Sequence, residues 1–129
     1  MVGVVWRVAA ADFDVAAFLE EFELEPDVVW RPGDMLGRRR RDTFGFNLSI
    51  DEEDTLEGML KDVRAFLEEY REAFVALQTR GVSCSIDFGF QVGSQQRFVR
   101  SLEFPPNLLA QFAELGISLE VTGYPGLED

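Results

Sequence analysis

Residues 55–80, TLEGMLKDVRAFLEEYREAFVALQTR, decide how the remainder of the sequence is read. Leu56, Met59, Leu60, Val63, Phe66, Leu67, Tyr70, Phe74 and Leu77 recur at steps of three and four. On a helix that spacing gathers them into one apolar stripe, leaving Lys61, Asp62, Arg64, Glu68, Glu69, Arg71 and Glu72 in water. Asp54 followed by Glu57 reads as a capping box, and Gly81 as the left-handed stop. The spacing predicts one continuous amphipathic rod, roughly 39 Å long at about 1.5 Å per residue, enough to roof a whole sheet.

The flanks supply that sheet. Residues 2–9 alternate, with Val2, Val4, Trp6 and Val8 on one side. Asp12 is placed to cap a short helix over FDVAAFLEEF, ended by Pro26, and Val28 to Trp30 reads as a short strand. Arg31-Pro32-Gly33-Asp34 has proline second and glycine third, the pattern of a type II turn, and residues 34–42 show no period and read as a loop. TFGFNLSI, residues 43–50, alternates again. Beyond the rod, Val82, Cys84, Ile86, Phe88 and Phe90 alternate with Ser83, Ser85, Asp87 and Gly89. Gly93-Ser94 then suggests a hairpin returning as the strand RFVRSLEF. Pro105-Pro106 opens a helix that Gly116 stops, ISLEVT is a last strand, and the tail over residues 123–129 is expected to fray. One-faced strands with helices to cover them make a two-layer α+β sandwich, with a mostly antiparallel sheet and ferredoxin-like connectivity.

Composition narrows the function. A chain of 129 residues with 47% apolar content has the size and core of one domain, residues 1–129. Neither a membrane span nor a secretion signal is visible, and a lone cysteine suits a reducing compartment, so a cytoplasmic location is expected. A net charge of −12 opposes nucleic-acid binding; it either serves solubility alone, the commoner role, or attracts a basic protein partner. There is no histidine, which removes the usual general base and the commonest metal ligand. The expectation is a protein without cofactor or metal, leaning away from an enzyme.

Several features are weighed as sites. Trp30 beside the Pro32-Gly33 turn either anchors a partner or plugs the edge of the core, and the plug is the commoner role. Asp34 either joins a site with Trp30 and Arg31 or caps the turn. Arg38, Arg39, Arg40 and Arg41 offer forked donors to an anion, against the plainer reading of a solvated loop paired with surplus acids. Asp87 and Glu103, if opposed across the expected hairpin, form a carboxylate pair of the kind that splits two pKa values for acid–base work. Cys84 lies on the apolar side of its strand and reads as a buried small residue. The outward sheet face is small and hydroxylated, suiting either plain solvation or close approach by a partner.

The helix end and turn LEPDVVWRPGD, the strand TFGFNLSI and the closing LEFPPNLLAQFAELGISLEVTGY resemble a family of small bacterial proteins known only as a domain of unknown function. The resemblance implies an α+β domain with a tryptophan-bearing turn after the first helix, and it assigns no catalytic residue. Together these observations lead to a non-enzymatic module that recognises a protein partner, in the manner of an immunity protein or antitoxin. The alternative is small-ligand or anion binding at Trp30, Arg31, Asp34 and the arginine run. Homodimerisation through a free sheet edge is compatible with either.

Overall fold

The computed structural model describes residues 3–51, 55–93 and 101–125. Its elements are β1 (Gly3–Ala10), α1 (Val15–Glu21), β2 (Val28–Trp30), β3 (Met35–Leu36), β4 (Arg39–Arg40), β5 (Phe44–Asp51), α2 (Leu56–Glu69), α3 (Arg71–Thr79), β6 (Cys84–Val92), α4 (Pro106–Glu114) and β7 (Ile117–Pro125). Five strands form one sheet in the order β2-β5-β1-β6-β7, antiparallel except between β6 and β7. This is an α+β fold with an open, mostly antiparallel mixed sheet. β1 and β2 run the same way with β5 inserted between them, and β5 and β6 are likewise separated by β1, so two split β-α-β units interlock. The last strand, expected over ISLEVT, is β7, which α4 carries across to lie parallel to β6 at the edge of the sheet.

Alternation explains which face is covered. Val4, Trp6 and Val8 of β1, Phe46 and Leu48 of β5, and Cys84, Ile86 and Phe88 of β6 all enter the core. They meet Phe18 of α1, Met59, Val63 and Leu67 of α2, Phe74 and Leu77 of α3, and Leu108 and Phe112 of α4. Trp6 is the hub. Its ring lies 4.4 Å from Phe74, 5.2 Å from Phe46, 5.7 Å from Phe66 and 6.4 Å from Phe18, the last three edge-on.

The expected rod is broken. Tyr70, at φ −107° and ψ 24°, closes α2 and opens α3, donating its N–H to the Phe66 carbonyl while its own carbonyl accepts from Ala73 and Phe74. No glycine or proline marks the spot; the break re-aims α3 so that Ala73, Phe74 and Leu77 all face the core. Tertiary packing overrides a local pattern that favours one helix. Burial raises the pKa of the Tyr70 phenol, with the charges of Glu69 and Glu23 adding to the rise.

The caps also differ from expectation. α1 is capped by Asp14, whose Oδ1 accepts the Ala17 N–H at 3.1 Å, not by Asp12. α2 is capped by Thr55, whose Oγ1 accepts the Gly58 N–H at 3.1 Å, and Asp54 lies outside the described residues. Gly81 and Gly116, both at φ 70°, end α3 and α4 as expected. α1 instead ends in a left-handed Glu23, at φ 52°, while the Leu24 N–H reaches back to the Leu19 carbonyl at 2.9 Å. A side chain is strained in that conformation. Glu23→Gly is therefore expected to stabilise the fold by about 0.5–1 kcal/mol, seen as a higher urea midpoint at unchanged m-value.

Two further segments depart from the reading. Residues 34–42 are not a plain loop: β3 and β4 pair through Met35 with Arg40 and Leu36 with Arg39, around a turn whose Gly37 has φ 64°. The strand expected to return after Gly93 is absent over its described part, residues 101–104. β6 is flanked by β1 and β7, residues 101–105 are not a strand, and residues 94–100 lie outside the described residues. Phe104 still reaches the core, edge-on to Phe88 at 5.0 Å. At the other end β7 runs to Pro125, so residues 123–125 are strand instead of frayed tail. Two exposed ion pairs, Arg71–Glu114 and Arg80–Glu21, link α3 to α4 and to α1.

Candidate functional site

β2 ends the sheet after only three residues. Its register partners are Val28 with Asn47, Val29 with Phe46, and Trp30 with Gly45, so Trp30 rises from the helix-free face. Gly45 makes that placement possible: a Cβ there would stand 2.5 Å from the indole Cζ2 and 2.3 Å from the Val8 carbonyl oxygen. The indole Nε1 donates to Thr43 Oγ1 at 3.1 Å, and the Arg41 guanidinium covers the ring at 5.0 Å. At 4% exposure, Trp30 is an edge plug and presents no open ring.

The turn beyond it has the expected type II geometry. The Asp34 N–H donates to the Arg31 carbonyl at 3.0 Å, Gly33 has φ 97°, and Asp34 Oδ2 accepts the Arg31 N–H at 3.1 Å. Between this turn and the start of α1 lies a groove of about 510 Å³. Phe13, Val15, Val29, Trp30 and Phe44 give it apolar walls; Asp12, Asp14, Asp34 and Arg31 stand among them. Val29 remains 46% exposed. Trp30, Arg31 and Asp34 therefore come together as the sequence suggested. Asp12, Phe13, Asp14, Val29 and Phe44 join them only through the fold, because the order of strands that brings α1 beside β2 is not written locally.

The arginine run divides. Arg38 sits in the β3–β4 turn and Arg39 and Arg40 on β4, all exposed and away from the groove, whereas Arg41 folds back over Trp30. Arg41 N–H and carbonyl also close the base of the small hairpin on Asp34 and Gly33, at 2.8 Å each.

Asp87 is separate from this site and 4% exposed on the helix-free face of β6. One of its oxygens accepts from Arg7 Nη2 at 3.2 Å, and the Thr122 hydroxyl approaches both carboxylate oxygens, at 2.8 and 2.9 Å. Glu103 is exposed and off the sheet. Asp87 and Glu103 do not stand opposite each other: the register partners of Asp87 are Val5 on β1 and Glu120 on β7.

Cys84 is buried, and burial pushes its thiol up to about 11 from an ordinary 9.0, against a small opposing effect of the neighbouring Trp6 indole. Such a thiol is a poor nucleophile. Alkylation at pH 8 is expected to be far slower in the native protein than in urea. Between pH 9 and about 11 the unfolded thiol ionises while the folded one stays neutral, so this group lowers stability as pH rises through that window.

A two-layer α+β domain, its helices all on one side of the sheet, is the class that this architecture defines. The chain belongs to the family described as Domain of unknown function (DUF4279), whose model matches residues 2–126. No curated protein and no solved structure matches it.

Proposed function

We propose that this member of the family is a non-enzymatic binding module of the bacterial cytoplasm that recognises a basic protein partner, as an immunity protein or antitoxin does. One observation carries the reading: the groove beside β2 joins an apolar wall to the carboxylates of Asp12, Asp14 and Asp34. A segment that places an aliphatic or aromatic side chain against Phe13, Val29 and Phe44, flanked by lysine or arginine, matches both features. The net charge of −12 adds long-range attraction for such a partner. No helix among the described residues is long and apolar enough to cross a membrane.

The test is co-purification from the native host at moderate salt, wild type against the double variant Asp12→Lys, Val29→Lys. Both positions are exposed, so the fold should survive. A basic protein retained by the wild type and lost by the variant supports the reading. Repeated recovery of the bare chain, or capture that ignores both substitutions, defeats it.

A further inference from the structure

The helix-free face carries a second groove, of about 380 Å³, on the other side of Trp30 from the first. Its register is unusual for so acidic a chain. Arg7 stands directly opposite Asn47 on β5 and opposite Ser85 on β6, and Ser85 stands beside Ser118 on β7. Four adjacent strands thus raise serine, serine, arginine and asparagine in one row, at about 4.8 Å per step. Arg41 enters from the side, its guanidinium carbon 5.0 Å above the Trp30 ring. Among the described residues no carboxylate lines this groove, in a molecule with twice as many acids as bases.

Two atoms are left over. Arg41 Nε and Asn47 Oδ1 are both shielded from solvent, and neither has a hydrogen-bond partner among the described residues. The asparagine amide turns over without changing shape, so it can present its NH2 instead of its oxygen. Arg7 is tied to Asp87 through Nη2, and its side chain, 37% exposed, also lines the groove. Ser85 is drawn toward Glu120 at 3.3 Å, a long contact, and Ser118 is exposed.

We propose that this row is a binding site for a tetrahedral oxyanion, the phosphate of a small phosphomonoester. Two guanidinium groups line the groove together with the Ser83, Ser85 and Ser118 hydroxyls. That arrangement suits an anion with three free oxygens better than a planar carboxylate, which a single arginine fork saturates. The cation–π contact with Trp30 positions one guanidinium in advance.

Inorganic phosphate is the probe, with sulfate beside it and chloride at matched ionic strength as control. Phosphate is expected to raise the melting temperature of the wild type in dilute buffer, and titration calorimetry to give a saturable isotherm. Arg41→Gln removes one donor group, and Ser118→Asp brings a negative charge to an exposed position without touching the core. Each should weaken binding by about tenfold or more. Arg7 is avoided, because its loss strands the buried Asp87. Wild-type melting that responds no differently to phosphate than to chloride would overturn the site, as would an equal response in the Ser118→Asp variant.

Discussion

Replacing Trp6 by alanine is expected to lower stability by about 3–5 kcal/mol, the upper range for truncating a core side chain. Trp6 is fully buried at the midpoint of β1, with Phe18, Phe46, Phe66 and Phe74 arranged around it. Those four rings come from α1, β5, α2 and α3, so the indole is where four elements are locked together. Against a total of about 5–15 kcal/mol for an ordinary domain, such a loss brings the melting temperature down by about 10–20 °C. Trp6→Phe should cost much less, about 1.5 kcal/mol or under. It keeps the aromatic contacts, and the indole Nε1–H that it deletes has no partner of hydrogen-bond geometry among the described residues. Thermal denaturation followed by circular dichroism separates the two variants. If phenylalanine proved as damaging as alanine, packing around the ring would not be what holds the sheet to its helices.

Gly45→Ala is the second large effect, expected at about 2–3 kcal/mol for the addition of one methyl group. The backbone of Gly45 is not in a left-handed conformation, so the penalty arises from space. The new carbon would meet the Val8 carbonyl oxygen at 2.3 Å on one side and the Trp30 ring at 2.5 Å on the other. The ring can move out, but the carbonyl belongs to the neighbouring strand. Removing the indole as well, in Gly45→Ala with Trp30→Ala, should therefore recover only part of the lost stability. Full recovery in that double-mutant cycle would place the whole conflict at the ring and none in the sheet. Tryptophan emission supplies a second readout, since displacement of Trp30 toward water shifts it to the red while Trp6 stays buried.

The apolar alternation of residues 43–50 and 82–90 was enough to read which face of each strand is covered, because burial of one face imposes a period of two. The Pro32-Gly33 turn and the stops at Gly81 and Gly116 were legible for a similar reason, each needing a backbone conformation that few residues adopt. Tyr70 shows the limit of such reading. LEEYREAF carries no breaker, and only the demand that Phe74 reach Trp6 decides where the helix divides. Strand order was legible in part, since the close of β6 looked like a hairpin while its actual neighbour on that side, β7, arrives by way of α4. The candidate site divides the same way. Trp30, Arg31 and Asp34 share one turn and were found together. Asp12, Val29 and Phe44 meet only after α1 has crossed the sheet, and Arg7 with Asn47, Ser85 and Ser118 share a row that exists only once four strands are in register.

The position of β1 has a consequence for how the molecule is assembled. The strand that comes first in sequence lies in the middle of the sheet, and Arg7 and Asp87, which meet across one of its borders, are 80 positions apart. During synthesis Val4, Trp6 and Val8 wait until the 80 positions between Arg7 and Asp87 have been made. Folding that must close so wide a loop is slow, and the waiting strand is the part of the nascent chain most in need of a chaperone.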